Sequence, residues 1–271
     1  MCRIMNNEDS RQLIENALTQ ARLSIIRTNN HITSIGSNRF GDTTLNIDLE
    51  AEKAIINEFK KSGESYTIVT EESGIVDVNG GGNIVVVDPL DGSNNAARGI
   101  PIYCISIAIS QGKRLSDISN SGIMNAITGD IIYADLKGVF LNGQRKYPSN
   151  ITNLNVANIN MIMKLSDVSD TEGYAEKTLK LMKLVYVSRF LGCAALESAY
   201  VSIGLLDAFV DLVPRLRMVD VAASFHMARI SGAYLRILNA DDDISLESER
   251  RFSCIVAANE KLGMSILDVV Q

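Results

Sequence analysis

The run from Asn83 to Asn95, Asn-Ile-Val-Val-Val-Asp-Pro-Leu-Asp-Gly-Ser-Asn-Asn, constrains this chain more than any other stretch. Ile84 to Val87 is an unbroken β-branched run, which reads as a buried strand. Pro89 and Gly92 supply the sharp turn that ends it. Two carboxylates, Asp88 and Asp91, therefore leave one strand end together with a set of free backbone N–H groups. Two carboxylates about 5 Å apart repel by roughly 3 kcal/mol at an effective dielectric near 20. A buried pair needs a proton or a cation between them, and a divalent metal is the natural occupant.

The first helix is expected from Asn7 to about Ile26, with Ile14, Ala17, Leu18, Ala21 and Ile25 on one face and Asp9 or Ser10 as N-cap. Asn29 to Thr44 reads as a long loop or irregular hairpin containing Gly36 and Gly41, either a connector or a lid. Asp48 precedes a second amphipathic stretch through Ala51, Ala54, Ile55 and Phe59, so an N-cap role and a catalytic one both stay open. Thr67 to Thr70 is a strand running into Glu71 and Glu72. Ile75 to Asp77, a turn at Asn79 to Gly82, and Ile84 to Val87 suggest a hairpin-like return bringing Glu71 beside Asp88. Tyr103 to Gln111 continues as strand, Ile123 to Leu136 reads as a hairpin turning on Gly129-Asp130, and Val139 to Gly143 adds another strand and turn.

Past Tyr147 the pattern becomes alternating. Strands are expected at Val156 to Lys164, Val185 to Val187, Asp207 to Leu212, Tyr234 to Leu238 and Phe252 to Ala257. Helices are expected at Tyr174 to Leu184, Gly192 to Ile203, Val221 to Ile230 closed by Gly232, and from a cap at Asn259 to Val270. No repeat or low-complexity linker separates the parts. The expected organisation is one compact unit of two halves, 1–147 and 148–271.

Acids recur at element boundaries: Glu71 and Glu72, Asp88 and Asp91, and Asp220 ahead of Val-Ala-Ala-Ser. Oxygen donors without His or Cys suit a hard cation such as Mg2+. Gly92, Ser93, Asn94 and Asn95 would open a helix whose N–H groups favour an anion. Metal beside anion suggests phosphate-ester hydrolysis, although calcium-binding and purely structural turns share the Asp-x-x-Asp spacing. Cys2, Cys104, Cys193 and Cys254 are scattered and only His31 and His226 are present, which leaves little material for zinc or histidine chemistry. The net charge of −6 argues against nucleic-acid binding. With no apolar run of transmembrane length and no signal-peptide core at the start, the expectation is a cytoplasmic protein without membrane contact.

Thr70-Glu71-Glu72-Ser73, Val87-Asp88-Pro89-Leu90-Asp91-Gly92-Ser93-Asn94-Asn95 and Val219-Asp220-Val221-Ala222-Ala223 resemble, in order and spacing, the three signature blocks of the inositol monophosphatase family of Mg2+-dependent, lithium-sensitive phosphatases. Phe140-Leu141-Asn142-Gly143, Gly192 to Glu197 and Leu206 to Asp211 extend the likeness over nearly the whole chain. Asn95-Ala96 with Ile100-Pro101-Ile102-Tyr103 looks most like the archaeal branch, whose members often hydrolyse both inositol monophosphate and fructose 1,6-bisphosphate.

The resemblance implies an α/β fold of α-β-α-β-α layers, a homodimer, and two or three Mg2+ ions held by Glu71, Asp88, Asp91, Asp220 and the Leu90 carbonyl. Glu71, Asp48 and Ser93 match the acid and hydroxyl positions near the attacking water. Gly92, Ser93 and Asn94 match the phosphate cradle. Gly192, Cys193, Ala194 and Asp211 match contacts to sugar or inositol hydroxyls, and Arg189, Arg215 and Arg217 are candidates for a second phosphate. Val219, Ala96 and His226 depart from the family pattern without removing a metal ligand, and His226 reads as a hydrogen-bonded packing residue. The implied activity is metal-activated water attack on inositol monophosphate, fructose 1,6-bisphosphate or both. The alternatives are a 3′-phosphoadenosine phosphatase and a catalytically silent metal-binding regulatory protein.

Overall fold

A computed structural model describes residues 7–28, 33–37, 43–166 and 168–271. Two helices, α1 (Asn7–Thr28) and α2 (Asn46–Lys61), form its first layer. Their apolar stripes, Ile14, Ala17, Leu18, Ala21 and Ile25 on one and Ile47, Ala51, Ile55 and Phe59 on the other, are fully or almost fully buried. The stripes pack against each other and against one face of an eight-stranded sheet. Between the two helices lies a small antiparallel hairpin, β1 (Ser34–Ser37) and β2 (Thr43–Leu45). Most of the expected Asn29 to Thr44 loop, His31 included, lies outside the described residues, as does Cys2.

The large sheet contains β3 (Tyr66–Thr70), β4 (Gly74–Val78), β5 (Asn83–Asp91), β6 (Cys104–Ser110), β7 (Ile118–Asn125), β8 (Ile131–Asp135), β9 (Gly138–Leu141) and β10 (Gln144–Lys146). Its order is β10-β9-β8-β7-β6-β5-β3-β4. In β5 the side-chain alternation splits the apolar run: Val85 and Val87 enter the core under α1 and α2, while Ile84 and Val86 enter the core on the opposite face. Both faces being covered is why the strand is uniformly apolar rather than alternating.

A short helix, α3 (Ser93–Ala97), follows β5. The second sheet holds β11 (Asn158–Ile162), β12 (Val187–Arg189), β13 (Ala208–Leu216), β14 (Tyr234–Ile237) and β15 (Phe252–Ala257) in the order β12-β11-β13-β15-β14. Its strands β12, β11 and β13 are parallel. Helices α5 (Ala194–Ser202) and α6 (Met218–Ser231) lie between the two sheets, and α4 (Thr171–Met182) and α7 (Glu260–Val270) cover the outer face of the second. The layers are therefore α-β-α-β-α. Helix α6 is buried from Met218 through Ala228, and such all-round burial marks a helix enclosed by protein on every side.

Three expectations are corrected. Strands β4 and β5 do not pair as a hairpin: β3 stands between them, antiparallel to β4 and parallel to β5. Tyr66 at the start of β3 faces both Val78 and Asn83, so the turn between them, with Asn79, Gly80 and Gly81 in the left-handed region, crosses beneath that start. The β7–β8 connection is longer than two residues, running from Ala126 to Asp130, because Asn125 accepts from Ile127 N and Thr128 N through its side chain and holds a wider turn. Strand β12 begins at Val187 and ends at Arg189, later than the apolar residues suggested, because its register is set by pairing with Asn158 to Asn160.

Helix α1 approaches the sheet closely at Gly122 of β7, where a Cβ would come within 2.4 Å of Ile14 Cγ2 and 3.0 Å of Leu18 Cδ1. Gly122→Ala should overpack this contact by about 1–3 kcal/mol, lowering Tm by roughly 2–4 °C per kcal/mol. Thermal denaturation checks it, and an unchanged Tm would contradict this close approach.

Candidate active site

Because β3 and β5 are parallel with Thr70 opposite Val87, the chain delivers Glu71 and Asp88 side by side at one sheet end. The β5–β6 register breaks between Asp88 and Asp91, where Pro89 and Leu90 loop out of the ladder. Leu90 is anchored in the core under α1 and α2, and its N–H donates to Asp88 Oδ1 at 3.0 Å. From the middle layer, α6 brings Asp220. One carboxylate oxygen from each of Glu71, Asp88 and Asp220 lies within 4.8 Å of the others.

Asp220 is the third helical residue rather than the N-cap itself. Its Oδ2 accepts from Arg217 N at 2.7 Å, the reciprocal half of a capping box. The Arg217 guanidinium then folds over the acids, its Nη2 donating to Glu71 Oε1 at 2.6 Å and to Asp220 Oδ1 at 2.8 Å. Arg217, expected at the substrate, is thus found spanning two acids. Asp91 lies beside the same group, with Ala195 N donating to its Oδ2 at 2.7 Å. Asp48 repeats the capping geometry on α2: Oδ2 accepts from Leu45 N at 2.9 Å, while the buried Oδ1 has no hydrogen-bond partner among the described residues.

Burial raises Glu71, Asp91, Asp48 and Asp88. It pushes Glu71 up to about 7 against the pull of Arg217, and Asp91 to about 7 against hydrogen bonds from Cys193 and Ala195. Asp48 also rises to about 7, by burial and then by Glu72 and Glu71. Asp88 is held well above the carboxylate range by burial and by Glu71, Asp91 and Asp220. Glu71, Asp88, Asp91 and Asp220 gather around a guanidinium that bonds two of them, and the donors are all oxygens. That excess negative charge, with the unpartnered Asp48 Oδ1 nearby, fits a hard divalent cation.

Gly92 begins the anion-facing turn. Its φ of 88° is left-handed, and a Cβ there would sit 2.9 Å from Ile102 O, so glycine alone fits. Ser93 and Asn94 occupy the first turn of α3, whose backbone N–H groups have no partner within the helix. Asn95 ties this turn to the second half, its Nδ2 donating to Ile102 O and Leu191 O, each at 2.8 Å. The turn at Gly192 to Ala194 therefore lies next to α3. Asp211 is buried on β13, Oδ1 accepting from Val213 N at 3.0 Å and Oδ2 without a partner among the described residues. Burial, together with Asp220 and Glu197, raises it to about 8 against Arg215. Arg215 donates Nε to Lys164 O, and its buried Nη2 is likewise unpartnered. Arg189 stands outside the acid cluster, exposed on β12 and bonded to Asn158. His226 Nδ1 meets the Ser121 hydroxyl at 2.8 Å between α6 and β7.

Two supporting acids escaped the sequence reading. Glu52, almost fully buried, accepts from the Thr70 hydroxyl, Ser73 N and the Ser73 hydroxyl, and so fixes the turn that carries Glu71. Its signal was a carboxylate three residues before Ile55 and seven before Phe59, on the apolar face of α2. Glu197, fully buried, accepts from Cys193 N at 2.7 Å and Asn160 Nδ2 at 3.1 Å and holds the Gly192 turn.

The family model described as the inositol monophosphatase family matches residues 9–241, and the chain belongs to that family. A fructose-1,6-bisphosphatase/inositol-1-monophosphatase of Archaeoglobus fulgidus is 32% identical over 245 residues, 89% of this chain and 88% of that protein. Among solved structures, the extragenic suppressor protein suhB of Bartonella henselae superposes with a TM-score of 0.83 at 27% identity, over 97% of this chain and 98% of its own. A Pyrococcus horikoshii protein described as similar to inositol-1 monophosphatase gives 0.79 at 29%, over 98% and 100%. The α-β-α-β-α layering is that of the family.

The raised carboxyls make the metal-free fold pH-sensitive. Acids whose pKa values rise from about 4 unfolded to 7–8 folded stabilise the fold fully below the unfolded values and lose that contribution as pH rises through 7–8. His226, lowered to about 4 by burial, opposes this only below pH 6.5. In EDTA, Tm should therefore fall between pH 6.5 and 8.5, and Asp211→Asn should reduce the fall by roughly 2–4 °C, equivalent to ~1 kcal/mol. A Tm that is flat or rises over that range would contradict the account.

Proposed function

We propose that the chain is a Mg2+-dependent phosphate monoester hydrolase of the cytoplasm, acting on inositol monophosphate, fructose 1,6-bisphosphate or both. One observation carries the proposal: Glu71, Asp88 and Asp220 bring oxygens within 4.8 Å of one another, beside Asp91 and the Gly92 turn. The Archaeoglobus relative, named a fructose-1,6-bisphosphatase/inositol-1-monophosphatase, supports the substrate pair.

Glu71, Asp88, Asp91, Asp220 and the Leu90 carbonyl would hold two or three Mg2+ ions. When bound, Mg2+ supplies a water of lowered pKa and positive charge for the leaving oxygen. The N–H groups of Gly92, Ser93 and Asn94, with the Ser93 hydroxyl, would bind and orient the phosphate through the helix-opening donors. Asp48 and Glu71 would accept the proton of the attacking water. No covalent phosphoenzyme is expected.

Asp211 Oδ2 and the backbone of Gly192, Cys193 and Ala194 would bind substrate hydroxyls. Arg215, with its Nη2 unpartnered, is the arginine best suited to a second phosphate. We assign Arg217 instead to the acids it already spans, and Arg189 to the edge of β12. Residues 1–147 and 148–271 would act as one catalytic unit because metal ligands and substrate contacts are divided between them.

Purified protein should release phosphate from inositol 1-phosphate or fructose 1,6-bisphosphate only with Mg2+. Asp91→Asn should lower kcat/KM on the order of 10³-fold, and Asp211→Ala should act mainly through KM. Turnover undiminished by EDTA would overturn the metal mechanism. Preference for 3′-phosphoadenosine would reassign the substrate, and Mg2+ binding without turnover on any monoester would indicate a regulatory protein. We further propose a homodimer, which light scattering should report as twice the chain mass and which a single-chain mass would refute.

A further inference from the structure

Next to Asp91, as a group separate from Glu71, Asp88 and Asp220, two thiols face each other. Cys104 opens β6 directly opposite Asp91, and Cys193 is the N-cap of α5. Both are fully buried, and their sulfurs are 3.6 Å apart. Cys104 Sγ lies 3.9 Å from Asp91 Oδ2, and Cys193 Sγ lies 3.4 Å from the Asp91 carbonyl oxygen. The two sulfurs and one Asp91 carboxylate oxygen fall within 4.8 Å of one another.

These spacings match the face of a small coordination tetrahedron. With metal–sulfur bonds of ~2.3 Å and metal–oxygen bonds of ~2.1 Å, neighbouring sulfurs stand about 3.8 Å apart and sulfur and oxygen about 3.6 Å. The observed sulfur–sulfur and sulfur–Oδ2 distances differ from these by a few tenths of an ångström. A disulfide would need the sulfurs to close to about 2.05 Å, a much larger movement. The donor set is also unlike its neighbour: two thiols and one carboxylate select a soft cation, whereas the oxygen-only cluster of Glu71, Asp88 and Asp220 selects a hard one.

We propose that Asp91, Cys104 and Cys193 form a second metal site, specific for a thiophilic divalent cation such as zinc or cadmium, that shares Asp91 with the hard-cation cluster. On binding, each thiol gives its proton to solvent and becomes a thiolate ligand. Asp91 supplies the third donor and no electrons are transferred. Because one carboxylate serves both sites, filling the thiol site weakens the hold of the acid cluster on its own cation, and the coupling is reciprocal. Thiophilic cations would thus inhibit by withdrawing Asp91. This coupling rests on the Mg2+ reading of the acid cluster; the thiol site itself does not.

Cadmium tests both parts. The protein is reduced, desalted and titrated with Cd2+ in the presence of excess Mg2+, following the sulfur-to-cadmium charge-transfer absorption. One thiolate-bound cadmium per chain is expected. Cys2→Ser and Cys254→Ala should retain the band, and Cys104→Ala should weaken binding at least tenfold. X-ray absorption at the cadmium edge on the unmodified protein gives a readout independent of any variant, and two sulfur neighbours are expected. An oxygen-only shell, or a band unchanged in Cys104→Ala, would overturn the site. For the coupling, Cd2+ should raise the Mg2+ concentration needed for half-maximal thermal stabilisation of the unmodified protein several-fold and leave that of Cys104→Ala unmoved; equal shifts in both would overturn it. If the protein proves inactive on phosphate monoesters, the sulfur shell and the Mg2+ shift still stand or fall on their own.

Discussion

Mutual repulsion among buried carboxylates is the constraint around which this fold is arranged. Glu71, Asp88, Asp91 and Asp220 come from β3, β5 and α6, and each is fixed on at least one oxygen by a donor of the chain itself. Leu90 N holds Asp88, Ala195 N holds Asp91, Arg217 N holds Asp220, and the Arg217 guanidinium holds Glu71. Backbone N–H donors orient a carboxylate without neutralising it, so the charge is kept and its direction is set in advance. Burying these acids together costs free energy that the cores on either side of the large sheet must offset, and the raised pKa values of Glu71, Asp88 and Asp91 express that cost in the metal-free protein.

The N-terminal turns of α2 and α6 share a device that reconciles two readings of the same residue. Each helix starts from a residue without a capping oxygen, Leu45 or Arg217, and each carries an aspartate three residues on that accepts from that residue's N–H. Asp48 and Asp220 therefore complete helix ends with one oxygen; the other oxygen of Asp220 accepts from the Arg217 guanidinium, and that of Asp48 has no hydrogen-bond partner among the described residues. For these two residues a structural role would not compete with a chemical one, because a carboxylate has two oxygens to divide between them.

Local chemistry was legible where it was dense. The β-branched run of β5, its Pro-Gly turn and the opening of α3 followed from adjacent residues, and so did the stripes of α1 and α2. The adjacency of Glu71 and Asp88 was also anticipated, but through a hairpin; the parallel β3–β5 pairing that produces it depends on a strand exchange no local pattern encodes. Asp220 stood out in the sequence as an acid at an element boundary, but its assignment as a ligand beside Glu71 and Asp88 came from the family resemblance, since its partners lie far off along the chain. Nothing in the sequence distinguished Arg217 from Arg189 or Arg215, because their placement depends on where β12, β13 and α6 meet the first half. Glu52 was readable in principle as a charge on a buried helix face, whereas the contacts of Glu197 with Cys193 and Asn160 required the tertiary fold.

The central claim is that these acids are a platform for a hard cation rather than a structural knot closed by Arg217. Crystals soaked in Mn2+, an anomalous scatterer that substitutes for Mg2+, test it most directly. The account predicts anomalous peaks at bonding distance from Glu71, Asp88, Asp91 and Asp220, with the Arg217 guanidinium drawn back from at least one of its two acids. An anomalous map without a peak at these residues, with Arg217 still bonded to Glu71 and Asp220, would contradict it.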